Sequence, residues 1–179
     1  MACPRFLTFT FLLLFTSAGF AADISSFIGS YTGSANVEGE GEASPRDMSV
    51  NISATKNGYA ISWKTVIHKS DGRNKETEYD IPFLSTGRTG IYSSAMKTNL
   101  FGKPVPLNPL KGDPYIWSRI TEDTLTVYAL VISEDGGYEM LEYNRTLTPG
   151  GLNLDFLRIR DGVKLKNIKA FLKKTQGSD

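Results

Sequence analysis

The chain has 179 residues, with 20 Lys and Arg against 19 Asp and Glu, one histidine and one cysteine. A balance this close to neutral gives no basic excess for nucleic acid or an anionic membrane surface. A lone cysteine, Cys3, and a lone histidine, His68, exclude disulfides within the chain, cysteine-ligated zinc and multi-histidine metal centres. The first element in chain order is a leader. Arg5 precedes the apolar run Phe6–Phe15, and small Gly19 and Ala21 stand where a signal peptidase reads. The run has about 10 residues, half of what a membrane-spanning helix needs. This layout predicts a secretory signal peptide over 1–21, with cleavage after Ala21, and one exported domain over 22–179. That domain has 19 charges of each sign and no thiol, so its core alone must hold it together. The expected location is secreted or periplasmic, because exported domains free of disulfides suit a bacterial envelope.

Turn signals punctuate the rest of the chain: Asn57-Gly58, Asp71-Gly72, Gly87 and Gly90, Asp135-Gly136-Gly137, Pro149-Gly150-Gly151 and Asp161-Gly162. The runs between them are rich in Val, Ile, Thr, Tyr and Leu, which predicts strands near 27–38, 46–56, 59–69, 75–84, 90–97, 114–120, 123–133, 137–147, 151–160 and 163–172. Alternation supports them. Met48, Val50, Ile52 and Ala54 share one face, and Tyr59, Ile61, Trp63, Thr65 and Ile67 share another, each with a polar reverse face. Asn57-Gly58 predicts a hairpin with a type I′ turn on those two residues. Leu125–Ile132 is apolar on both faces and is expected to be fully covered. The lysines at 164, 166, 169, 173 and 174 read as a solvated strand face.

Short connections between sequential strands predict an all-β fold, an antiparallel up-and-down barrel of about 8–10 strands; the alternative is a sandwich or open sheet. The exception is the stretch 97–114, whose four prolines oppose regular structure. Its apolar residues Leu100, Phe101, Val105, Leu107 and Leu110 suit either a lid over a barrel mouth or a loop covering apolar sheet.

The segment Gly29-Ser-Tyr31, with further glycines at 33, 39 and 41, resembles the opening strand of calycin-type barrels, both lipocalin-like and nitrobindin-like. Lipocalins read Gly-x-Trp at that point, so Tyr31 departs from the pattern. The resemblance implies a closed antiparallel barrel around a small apolar molecule. It also implies a late arginine packed on the opening aromatic, with Arg158 and Arg160 as the two candidates. Nitrobindin-type haem ligation needs a late histidine, which this chain lacks, so no cofactor is expected.

Asp113-Pro-Tyr115-Ile-Trp117-Ser-Arg119 places Tyr115, Trp117 and Arg119 on one strand face. Together with Tyr59, Trp63 and Tyr128 these residues form the candidate ligand-binding set. Aromatic rings suit an apolar tail, and a guanidinium suits an acidic head group. The same residues also fit an aromatic core with Arg119 stacked on Trp117 at the surface. Glu38, Glu40 and Glu42 lack the spacing of a calcium loop, and no metal site is expected. His68 stands on the polar face of its strand, and no Gly-x-Ser-x-Gly elbow supports hydrolysis. The leading expectation is non-enzymatic binding of a small hydrophobic or amphiphilic ligand inside the barrel. The alternatives are a cell-envelope interaction protein with a packed barrel, and a hydrolase or isomerase using His68.

Overall fold

The structure, a computed structural model, describes residues 23–37, 44–94, 97–98, 104–105 and 107–175. The leader, Glu38–Glu42 and the loop residues Leu100 and Phe101 lie outside the described residues. The strands run β1 (Gly29–Val37), β2 (Ser44–Thr55), β3 (Gly58–His68), β4 (Asn74–Ser85), β5 (Ile91–Ser94), β6 (Lys97–Thr98), β7 (Pro104–Val105), β8 (Tyr115–Thr121), β9 (Thr124–Ile132), β10 (Tyr138–Thr148), β11 (Gly151–Arg160) and β12 (Val163–Thr175). All except β6 and β7 form one closed antiparallel barrel of ten strands, each paired with its sequence neighbour and β1 closing onto β12. The ring closes through short ladders of three register pairs each at β4–β5, β5–β8 and β1–β12. This up-and-down topology is compatible with a calycin-like fold.

The alternating residues of each strand divide into an inner and an outer face. One end of the barrel is solid. Phe27, Tyr31, Tyr59, Phe83, Leu125, Leu152 and Leu172 are each at most 1% exposed and fill it. Full burial of such a side chain contributes roughly 1.5–3 kcal/mol. A 3-10 turn, Ile24–Phe27, capped by Asp23, delivers Phe27 to this plug, where the Tyr31 hydroxyl donates to the Phe27 carbonyl at 2.8 Å. Tyr59 stacks on Phe83 at 4.9 Å, meets Tyr92 edge-on at 5.2 Å, and its hydroxyl donates to Ser118 Oγ at 2.5 Å.

Local details depart from expectation in four places. The β2–β3 hairpin pairs Thr55 with Gly58, so its loop is Lys56-Asn57, and neither residue has positive φ. The turn is therefore not type I′; Gly58 is needed instead for close approach, since a Cβ there would meet the Phe83 carbonyl oxygen at 2.1 Å. The type I′ signature falls at Asp161-Gly162, with φ of 48° and 80°. β9 is not covered throughout on both faces; on its outer face Thr126 is buried, but Tyr128, Leu130 and Ile132 are only partly covered, because a single-layered barrel has no second layer to bury them. The stretch 97–114 does carry regular structure. Thr98 pairs with Pro104, which opens β7, and Pro109 begins a 3-10 turn, both places where a missing N–H is tolerated. Lastly, the lysines of β12 do not share one face. An irregularity opposite Arg158 and Ile159 leaves Leu165 unpaired, so Lys164 pairs with Ile159 while Lys166 pairs with inward-facing Arg158.

Candidate functional site

Above the plug the barrel opens into a cavity of about 280 Å³. Its walls are Met48, Val50, Trp63, Tyr79, Tyr143, Leu154, Phe156 and Ile168, with the cations Arg46, Arg145, Arg158 and Lys166 among them. Three cross-strand rows set its depth. The lowest is Arg145–Leu154–Ala170, the next Tyr143–Phe156–Ile168, and the uppermost Leu141–Arg158–Lys166. Trp63 lies against this wall, with its ring 5.2 Å from that of Tyr143 and 5.0 Å from that of Tyr79.

Arg145 decides the character of the cavity. It is 1% exposed, and its guanidinium carbon lies 5.2 Å from the Trp63 ring and 5.4 Å from the Tyr143 ring. Its Nε and Nη1 have no hydrogen-bond partner, and no carboxylate among the described residues pairs with it. Loss of hydration pushes its pKa down to about 10, a shift only partly offset by Tyr143 and Tyr59. Burial also raises the hydroxyl of Tyr59, and pushes that of Tyr143 up to about 12. Neither tyrosine is thereby an anion at neutral pH, so the cation stands uncompensated.

The mouth repeats the pattern. Arg46 is 7% exposed, its Nε is also unpartnered, and burial lowers its pKa. Lys166 is lowered first by burial, then by the neighbouring charges of Arg46, Arg158 and Lys75. Glu139 is taken by two arginines. Arg158 grips it with two contacts of 2.8 Å and Arg160 with one of 2.9 Å. Those hydrogen bonds, Arg158's first, hold the Glu139 carboxyl below the usual range. By strand register the inward positions of this half carry Arg46, Lys75, Arg145, Arg158, Arg160 and Lys166 against one acid, Glu139, among the described residues. An overall neutral chain has gathered a positive interior.

The residues expected to bind ligand divide between the two faces. Trp63 lines the cavity, and Tyr59 lies in the plug, away from the cavity lining. Tyr115, Trp117, Arg119 and Tyr128 point outwards, because Ile116, Ser118 and Ile120 take the inner face of β8 and Ser118 receives the Tyr59 hydroxyl. Trp117 stacks on Tyr128 at 4.9 Å and approaches Tyr115 at 5.6 Å on the outer wall. Arg119 donates from Nε to Thr121 Oγ1 at 2.5 Å and lines a shallow outer groove with Arg88. This placement corrects the expectation that these rings wall the interior. Arg158 and Arg160 do not reach the opening aromatic either; Lys174 Nζ sits 5.6 Å over the Tyr31 ring.

His68 lies on the outer face near the mouth. Nε2 is 2.8 Å from Asp47 Oδ2 and Nδ1 is 3.0 Å from Asn74 Oδ1. Among the described residues no group of three or more His, Cys, Asp or Glu side chains could share a metal ion, and no helix is long and apolar enough to cross a membrane. The chain matches no family model, no curated protein and no solved structure.

Proposed function

We propose that this chain is an exported, non-enzymatic binding protein, secreted or periplasmic, that holds a small amphiphile with an acidic group inside its barrel. The observation that carries this reading is Arg145: a guanidinium buried to 1% exposure with two unpartnered nitrogens and no carboxylate. A buried unpaired charge costs several kcal/mol, and an anion bound in the cavity would supply the missing partner. Apolar walls with a few convergent polar groups are the usual lining of a small-molecule site, and the volume lies close to the ~300 Å³ lower end for such sites. Rings around the guanidinium exclude water, so a carboxylate there would be both charge-assisted and desolvated.

The test is a tryptophan fluorescence titration with decanoate and with 1-decanol. Decanoate should perturb the emission at least ten times more tightly than the alcohol. Trp117→Phe should keep the response and Trp63→Phe should lose it, since only Trp63 lines the cavity. Equal responses to the two probes, or none, would sink the reading. The alternative of an envelope interaction protein draws on the outward row Tyr115–Leu130–Met140–Ile159 beside Trp117 and Tyr128. It predicts a protein indifferent to both probes.

A further inference from the structure

We infer that the cavity is built for a ligand with an acid group at each end, one meeting Arg145 at the floor and one meeting Arg46 and Lys166 at the mouth. This rests on the proposed function and sharpens its ligand class from a single-headed amphiphile to an apolar or aromatic diacid.

Two observations carry it. First, among the described residues the buried side-chain atoms without a hydrogen-bond partner are Arg46 Nε, Arg145 Nε and Arg145 Nη1, so the orphaned donors belong to two arginines rather than one. Those arginines sit at different depths. Lys166 stands in the uppermost row and Arg145 in the lowest, two rows apart, or about 13 Å along the strands at ~3.3 Å per residue. The row between them, Tyr143–Phe156–Ile168, is apolar apart from one phenol, and Trp63 stands against it. Secondly, the mouth cations form one group and Arg145 another. Arg158 and Lys166 are register partners in the uppermost row, whereas Arg145 lies two rows below them, with its guanidinium against the Trp63 and Tyr143 rings. Among the described residues the single acid facing this space, Glu139, is already held by Arg158 and Arg160, so it neutralises neither Arg46 nor Lys166.

A one-ended ligand would leave one of the two groups uncompensated. A fatty-acid-like molecule whose tail met the mouth would place methylenes against Arg46 and Lys166. A molecule whose head stayed at the mouth would leave Arg145 as it stands. A diacid with an apolar middle satisfies both ends and the aromatic waist.

The experiment compares decanoate with decanedioate, which replaces the terminal methyl by a second carboxylate on a chain of the same carbon number. An apolar far end would reject that second charge, and a cationic far end would reward it, so the two cases have opposite sign. Isothermal titration on the intact mature protein should give at least ten-fold tighter binding for the diacid. Lys166→Gln should lower that ratio at least three-fold, by weakening the diacid more than decanoate. Arg46→Met should act in the same direction, and Arg145→Met should weaken both ligands. Decanoate binding as tightly as, or more tightly than, the diacid overturns this inference while leaving the proposed function standing. A ratio that survives both mouth substitutions overturns it as well. Absence of binding by either acid overturns the proposed function itself.

Discussion

Replacing Arg145 by methionine should make the ligand-free protein more stable. The folded pKa of about 10 lies below the unconstrained 12.5, and each pKa unit corresponds to ~1.36 kcal/mol. The buried charge therefore costs about 3 kcal/mol. The cost is full at neutral pH, where the group is cationic folded and unfolded, and fades only as pH rises above the folded value. Contacts with the Trp63 and Tyr143 rings return part of it, at roughly 1 kcal/mol or slightly more. Methionine fills the length of the side chain and keeps contact with both rings while removing the charge. The net expectation is a gain of about 1–2 kcal/mol, which for a chain of this size raises Tm by about 2–8 °C. The assay is thermal and urea unfolding of wild type and variant, each with and without decanoate. Ligand should reverse the order. At a hundred times Kd, binding adds about 2.7 kcal/mol to wild type and far less to the variant. A variant less stable than wild type without ligand, by 1 kcal/mol or more, would refute the reasoning: Arg145 would then be a member of the core, and its missing partner would say nothing about a ligand.

Two further outcomes follow from the surrounding geometry. Both ring nitrogens of His68 face oxygen acceptors, which only the imidazolium can satisfy, and hydrogen bonding to Asp47, then to Asn74, raises its pKa. A raised folded value means that the clamp's contribution is complete below about 6.5 and is lost as pH climbs through the folded value. Urea midpoints of wild type and His68→Gln should therefore differ at pH 5.5 and converge at pH 9; a gap that does not narrow would dismiss the clamp. At the seam where the barrel closes, β1 and β12 share only three register pairs, and a Cβ on Gly33 would stand 2.3 Å from the Phe171 carbonyl oxygen. Gly33→Ala should cost about 1–3 kcal/mol and accelerate amide exchange in β1 and β12 ahead of the other strands. Unchanged unfolding would show that the seam has slack.

The architecture was legible because a meander advertises itself locally. Most long strands carry their own period-two pattern and their own turn residues, and sequential pairing leaves only the β1–β12 closure to a distant partner. The same locality explains the errors. Whether the β2–β3 loop is Lys56-Asn57 or Asn57-Gly58 depends on Phe83, whose carbonyl presses on Gly58 from the next strand. Which way Lys166 points depends on Leu165 being left without a partner opposite β11. A one-residue irregularity reverses every inference drawn from alternation beyond it, and nothing in the β12 sequence alone announces it.

The site was harder to read for a related reason: the signal was an exception rather than a motif. Tyr115, Trp117 and Arg119 drew attention as a cluster, yet a barrel strand shows one face to solvent, and the face holding Ser118 is the one that turned inwards. The informative residues were cations standing in phase with apolar neighbours. Arg145 shares its parity with Leu141, Tyr143 and Leu147, and Arg46 with Met48, Val50 and Ile52. An arginine at such a position must find a carboxylate, emerge at a rim, or await something that is not part of the chain. Sequence cannot separate these cases, because the acid that would answer the cation can come from any strand. The closed barrel separates them. With Glu139 held by Arg158 and Arg160, the acids of the remaining inward positions are exhausted among the described residues, and Arg145 is left 1% exposed beside two aromatic rings. Among the described residues the inward positions of this half hold six cations against one acid, and the proposed anionic ligand is the partner that would offset the electrostatic cost of burying them.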